Sequence, residues 1–394
     1  MRPSARVQQT KDPVIPIIAE LIRQNSGTIS LGQGVVYYPP PKQAFERLEQ
    51  FFAEPSNHKY QPDLGIPALR EAFQKKLKAE NGHLQEEGTS VIVTAGANMA
   101  FLQVLLCITD AGDEIILQTP YYFNHDMAIT MTSCHPVIVP TDSNYQLQLD
   151  AIAAAITPRT RAVVTVSPNN PTGVVYSEAA LRAVNRLCAE RGIYHIHDEA
   201  YEYFTFDGAK HLSPASFVGS AGHTISIYSL SKSYGFASWR IAYLALPNSL
   251  MPAMEKVQDT NIICPPVISQ YAALGALEAG AAYCREKIAT IGALRSTVKS
   301  LLEPLHDSCV IPETEGAFYY FLKVDTTCSS MELARRLIQE YKVAVMPGVA
   351  FGMTEGCYLR ISYGALEAET VLAGIGRFVE GMTQILKGER GVRI

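Results

Sequence analysis

An α/β fold on a mostly parallel sheet, with a smaller α+β unit beside it, is predicted by three features of the 394-residue chain. Short apolar runs alternate with helix-spaced stretches from about residue 90 to about residue 230. Those runs are continuously apolar, as strands covered by helices on both faces are. Beyond Pro265-Pro266 the alternation gives way to long Ala/Leu/Glu-rich helical patterns and one strand-rich segment.

Each element has its own signal. Ser90–Val93 is a β-branched run, and Asn98–Cys107 repeats its apolar residues at helical spacing. Glu114–Leu117 reads as a strand before the turn-forming Thr119-Pro120. Ala162–Val166, Ile193–His197 and Thr224–Tyr228 are further strands, with a helix over Glu178–Arg191 between the first two. Helical patterns run from about Ile268 to Leu305, then a strand segment over Gly316–Val324 and a helix near Met331–Tyr341. The change of character predicts a large domain over residues 43–284 and a small domain made of 1–42 and 285–394.

A hydrophobic fraction of 47% with 18% charged residues is that of an ordinary globular protein and excludes a disordered one. The net charge of −5, without a basic block, recommends neither nucleic acid nor an anionic membrane as a partner. The first residues lack an apolar core followed by a small-residue cleavage site, and no run of about 18 apolar residues occurs. Neither a secretory signal nor a membrane span is therefore expected, and a cytoplasmic location is. The eight scattered cysteines form no CxxC pair and read as reduced thiols; no metal site is expected. His195 and His197 alternate along one strand and read as core residues rather than ligands.

Four segments carry chemistry: Asn170-Pro171-Thr172-Gly173, Asp198-Glu199-Ala200-Tyr201, Ser229-Leu230-Ser231-Lys232, and Arg240 eight residues after the lysine. Each follows a strand-like run, at the edge of a parallel sheet where ligands bind. A lysine must be neutral or imine-bound to act. A carboxylate at a buried strand end, Asp198, needs a cationic partner, and a protonated pyridine nitrogen is one. Tyr201 and Asn170 can bond a ring oxygen, and Arg240 offers a fork for a phosphate. Thr94-Ala95-Gly96-Ala97-Asn98 follows a strand and opens a helix, so its backbone N–H groups can also hold an anion. Taken singly, each segment is an ordinary turn, ion pair or surface lysine. Together they suit a phosphorylated aldehyde with a ring nitrogen, pyridoxal 5'-phosphate.

With these motifs the chain resembles the fold-type I pyridoxal-phosphate enzymes, specifically the class I/II aminotransferases, from Leu31-Gly32-Gln33-Gly34 to Leu359-Arg360-Ile361-Ser362. The resemblance implies that Lys232 is the Schiff-base lysine and proton shuttle. It implies Asp198 on the pyridine nitrogen, Asn170 and Tyr201 on the ring oxygen, and Ser229, Arg240 and the amides of Ala97 and Asn98 on the phosphate. Tyr122 matches the aromatic residue that stacks on the cofactor ring. Arg360 matches the arginine that grips the substrate α-carboxylate, with Gly34 and Asn170 beside it. Tyr60 resembles the tyrosine that reaches the neighbouring subunit's phosphate, which implies a homodimer with shared sites. Ser238 and Ala242 stand where many relatives have glycine, and both could tighten the backbone near the phosphate.

The implied activity moves an amino group between an L-amino acid and a 2-oxo acid. The apolar and aromatic run Val35-Val36-Tyr37-Tyr38-Pro39-Pro40-Pro41 resembles the kynurenine/glutamine transaminase-like branch; an aspartate aminotransferase-like branch is the other candidate. No second arginine for an acidic side chain is evident. An aromatic, sulfur-containing or glutamine-like donor is therefore expected, with Tyr37 at the substrate. A pyridoxal-phosphate lyase or an aminocyclopropane-carboxylate-synthase-like enzyme would share the same apparatus. A non-enzymatic effector-sensing domain of a transcription regulator is disfavoured, since no basic helix-turn-helix segment is present.

Overall fold

The computed structural model describes residues 2–83 and 88–391. Its centre is a seven-stranded sheet of β1 (Thr89–Thr94), β2 (Glu114–Thr119), β3 (His135–Pro140), β4 (Thr160–Val166), β5 (Tyr194–Asp198), β6 (Thr224–Ser229) and β7 (Ala242–Pro247). The spatial order is β1-β7-β6-β5-β4-β2-β3. All neighbours are parallel except β7, which runs antiparallel to both β1 and β6. Every residue of β6 and β7 is buried, which is why these strands read as unbroken apolar runs. Burying each large aliphatic side chain there contributes roughly 1.5–3 kcal/mol.

The reversed strand matters for the site. Parallel strands deliver their carboxyl ends to one edge of the sheet, and an antiparallel strand delivers its amino end to that same edge. Ala242, the first residue of β7, pairs with Thr94 at the end of β1 and with Ser229 at the end of β6. Arg240, the Gly96 turn and Ser229 are thereby neighbours, although distant in sequence.

Helices flank this sheet. Glu178–Arg191 begins at Ser177, whose hydroxyl accepts from the Ala180 amide, and ends at Gly192 in the left-handed region. The helical run Val267–Leu302 is two helices merged across Gly280, whose φ of 64° and ψ of −167° are not helical. A second, four-stranded sheet joins β8 (Cys309–Val310), β9 (Tyr319–Val324), β10 (Met346–Pro347) and β11 (Cys357–Ser362), with the central pair antiparallel. A parallel pair, Ile29–Ser30 with Val343–Ala344, ties the N-terminal segment to this region. The helix Val14–Gln24, with only Ile18 fully buried, lies just before that pair.

Cys107, Cys134, Cys188, Cys264, Cys284 and Cys309 are thiols outside any disulfide. Among the described residues no helix is long and apolar enough to cross a membrane, and no group of three or more His, Cys, Asp or Glu side chains is placed to hold a metal. His195 and His197 are buried and share the Thr165 hydroxyl at 2.8 and 2.6 Å. Burial holds both imidazoles below the usual histidine range.

Candidate active site

A cavity of about 360 Å³ opens at the carboxyl edge of the large sheet. Eleven of the residues singled out from the sequence line it: Gly34, Ala97, Asn98, Tyr122, Asn170, Asp198, Tyr201, Ser229, Lys232, Arg240 and Arg360. Lys232 and Asp198, which must share one pocket for a single coenzyme to span them, do so.

Lys232 sits in the four-residue helix Leu230–Ser233, whose N-cap Ser229 accepts from the Ser231 amide. Its amine donates to the Gly34 carbonyl. Burial lowers its pKa to about 8, and the Arg360 and Arg240 charges push the same way against the opposing pull of Asp198. An amine so placed exchanges protons near neutrality, which an exposed lysine does not.

Asp198 ends β5 with its carboxylate buried. One oxygen accepts the Ala200 amide at 3.0 Å, and the other lies 3.3 Å from His125 Nε2. Tyr201 Oη lies 3.3 Å from Asn170 Nδ2 and 2.6 Å from Tyr319 Oη. Burial, with Tyr319 beside it, holds the Tyr201 phenol far above the usual tyrosine range, so it stays a donor.

The anion end is built from Gly96 and Arg240. Gly96 caps the helix Ala97–Ile108 with φ 88° and ψ 160° and supplies no side-chain cap, leaving first-turn amides unsatisfied. A Cβ at Gly96 would fall 2.3 Å from Arg240 Nη2. Only glycine therefore lets the guanidinium lie against this turn. Arg240 donates to the Ala237 carbonyl at 3.0 Å, and among the described residues it has no carboxylate partner. Ser238 is exposed, so it takes no space from the site.

Arg360, on β11, is 3% exposed. It donates to Asn170 Oδ1 at 2.8 Å and to the Gly32 carbonyl at 2.6 Å. The Tyr319 and Phe351 rings lie 4.5 and 4.8 Å from the guanidinium carbon. Its Nε is buried without a partner, and no described carboxylate pairs with it. A buried cation left so is costly unless an anion arrives. The donor set, two arginines short of anions with a carboxylate and a lysine in the same cavity, fits pyridoxal phosphate and an amino-acid carboxylate.

Two residues singled out from the sequence lie outside this cavity. Tyr37 does not line the cavity; its hydroxyl bonds Thr290 at 2.8 Å and its ring meets the edge of Tyr38. Thr290 belongs to the long helical run Val267–Leu302, against which Tyr37 packs. Tyr60 is 77% exposed and also lies outside the cavity of its own chain. Sequence reasoning passed over His125, Tyr319, Phe123, Met346 and the helix face of Ile15, Ile18, Ala19 and Ile22, all at or against the cavity. A helical spacing of apolar residues over Val14–Gln24 was the available signal for the last group.

A family model, aminotransferase class I and II, matches residues 26–378. The chain is 34% identical over 392 residues to an aromatic aminotransferase of Arabidopsis thaliana, covering 97% of each. It is also 34% identical over 395 residues to a probable aspartate/prephenate aminotransferase of Aquifex aeolicus, covering 97% of this chain and 99% of the relative. Among solved structures, a single mutant of the aspartate aminotransferase of Thermus thermophilus superposes with a TM-score of 0.88 at 32% identity, over 97% of this chain and 100% of that one. The chain belongs to the class I and II aminotransferases, with their pyridoxal-phosphate-dependent fold and activity. Within that family it falls in the aspartate and aromatic aminotransferase-like branch.

Proposed function

We propose that this enzyme transfers the amino group of an L-amino acid with an apolar, preferably aromatic, side chain to a 2-oxo acid. The observation that carries the substrate class is the cavity wall. Ile15, Ile18, Ala19, Ile22, Val35, Phe123 and Met346 line it, and its cations are Lys232, Arg240 and Arg360. We assign Lys232 to the cofactor aldehyde, Arg240 to the phosphate and Arg360 to the α-carboxylate. None is left for a side-chain carboxylate. A sulfur-containing donor suits the same wall; a glutamine side chain finds less to bond there. Aromatic and aspartate names both occur among the relatives, so the wall is what favours the aromatic choice.

Bound pyridoxal phosphate supplies an electron sink for negative charge at the substrate α-carbon. The chain's residues do the rest. Arg240, Ser229 and the amides of Ala97 and Asn98 hold the phosphate, and Tyr122 covers the ring. The Asp198 carboxylate keeps a proton on the ring nitrogen, and Asn170 and Tyr201 donate to the ring oxygen. Arg360 fixes the α-carboxylate, so that the α-proton faces Lys232. The Lys232 amine, in its neutral form, takes that proton and returns it. A lyase would use the same proton removal. Transamination is favoured by the family match and by the aminotransferase names of the relatives.

We further propose a cytoplasmic homodimer in which Tyr60 reaches the partner's phosphate. Its exposed ring and the exposed Phe45 and Phe52 of the helix Lys42–Ala53 support that surface. The domain division at 43–284 against 1–42 and 285–394 is proposed with it. Initial rates over a donor panel test the substrate reading. Phenylalanine, tyrosine and methionine are expected to exceed aspartate in kcat/KM; a strong preference for aspartate would refute it. Light scattering on the intact protein tests the dimer.

A further inference from the structure

Tyr319 has no part in the roles assigned above, yet it is fully buried and touches two of the groups that hold them. It opens β9, paired across the ladder with Ser362, while Arg360 stands diagonally opposite, paired with Phe321. That diagonal puts the Arg360 guanidinium over the Tyr319 ring at 4.5 Å. The hydroxyl lies 2.6 Å from Tyr201 Oη, its one polar partner among the described residues. Gly34 makes room for it: a Cβ there would fall 2.7 Å from the Tyr319 oxygen.

Proton counting decides the direction of this bond. A phenol carries one proton and two acceptor lone pairs. Tyr201 Oη has Asn170 Nδ2, which can only donate, at 3.3 Å. If Tyr201 donated to Tyr319, the Tyr319 proton would be buried with no acceptor among the described residues, which is unfavourable. If Tyr319 donates, both lone pairs of Tyr201 are used and its own proton is left to point into the cavity.

We infer that Tyr319 is a positioning residue: it donates its phenolic proton to Tyr201, directing the Tyr201 proton onto the ring oxygen of bound pyridoxal phosphate. The inference rests on the cofactor placement proposed above. The chain Arg360–Asn170–Tyr201–Tyr319 then closes on itself through the Arg360–Tyr319 stack. Filling the Arg360 site with a carboxylate is thus felt at the ring oxygen. Bonds in such a chain polarise one another, so Tyr201 is a stronger donor with Tyr319 than without it. Other charged or titratable groups facing Tyr201 are Arg360 and Tyr122.

A hydrogen bond to the ring oxygen draws negative charge from it and lowers the proton affinity of the cofactor bound to Lys232. The readout is the pH midpoint of the visible absorption band of pyridoxal-phosphate-loaded protein, independent of turnover. Tyr319→Phe is expected to raise that midpoint by about half to one unit. Tyr319→Met, which removes the hydroxyl in another shape, should shift it the same way. Tyr201→Phe should raise it further, and Tyr319→Phe should add nothing on that background. An unchanged or lowered midpoint in both Tyr319 variants, or full additivity in the double variant, would overturn the relay while leaving the proposed function intact. A wild-type protein with no titrating band would instead overturn the proposed function and the relay with it.

Discussion

Gly96→Ala is a one-methyl perturbation whose consequences can be worked from distances. The backbone there, at φ 88° and ψ 160°, lies in a region nearly reserved for glycine. An L-residue held there costs about 1–3 kcal/mol of stability. The added Cβ would lie 2.3 Å from Arg240 Nη2 and 2.7 Å from its Cζ. Those atoms end a flexible side chain, so the guanidinium can swing away, but then it leaves the phosphate. Losing a charge-assisted hydrogen bond costs about 1.5–3 kcal/mol, which weakens cofactor binding roughly 10- to 100-fold. Trp239, the chain's single tryptophan, adjoins Arg240 and provides the signal for a fluorescence titration of cofactor-free protein with pyridoxal phosphate. On an Arg240→Ala background the clash has no target, so Gly96→Ala should then lower stability with little further effect on affinity. Unchanged affinity for Gly96→Ala in the otherwise native chain would refute the placement of the phosphate between this turn and Arg240.

Other expectations follow from the same site. Arg360→Gln removes the buried cation that lacks an anion, and kcat/KM should fall by about two to three orders of magnitude for every donor; a loss confined to one side-chain class would contradict its α-carboxylate role. The depressed pKa of Lys232 sets a sign for pH. Its neutral fraction in cofactor-free protein should rise through about pH 8 rather than through 10.5. At pH 7 the reactive amine is then roughly 300-fold more abundant than at an ordinary lysine. The rate of cofactor capture measured against pH checks this, and a midpoint near 10.5 would disprove it. Lys232→Ala should abolish turnover and the visible band while circular dichroism and the melting cooperativity persist; retained turnover would end the proposed role.

Much of this architecture was legible in the residues because parallel strands buried on both faces leave unmistakable apolar runs. The helix Glu178–Arg191 carries its N-cap serine and C-terminal glycine in plain view. The reversal of β7 was not visible: an apolar run such as Ala242–Pro247 reads the same in either direction, and only its pairing with β1 and β6 fixes it. The break at Gly280 within a long Ala-rich pattern was hidden for a similar reason, since one glycine rarely ends a helix by itself. At the site, residues whose chemistry requires a ligand stood out from their spacing. His125 and Tyr319 did not, because each acts on another side chain that the fold alone brings near. Tyr37 stood out as an aromatic residue next to a substrate-side glycine, whereas its bond to Thr290, 253 residues away, is visible only in the fold.

Pyridoxal phosphate added to the purified protein, trapped with borohydride and followed by peptide mapping, addresses the core of the mechanism most directly. Covalent pyridoxyl label is expected on Lys232 alone, in near-stoichiometric yield, and displaced when an amino donor is added before the reductant. Label spread over surface lysines, or its persistence on the peptide after Lys232→Ala, would place the reacting amine somewhere other than this cavity.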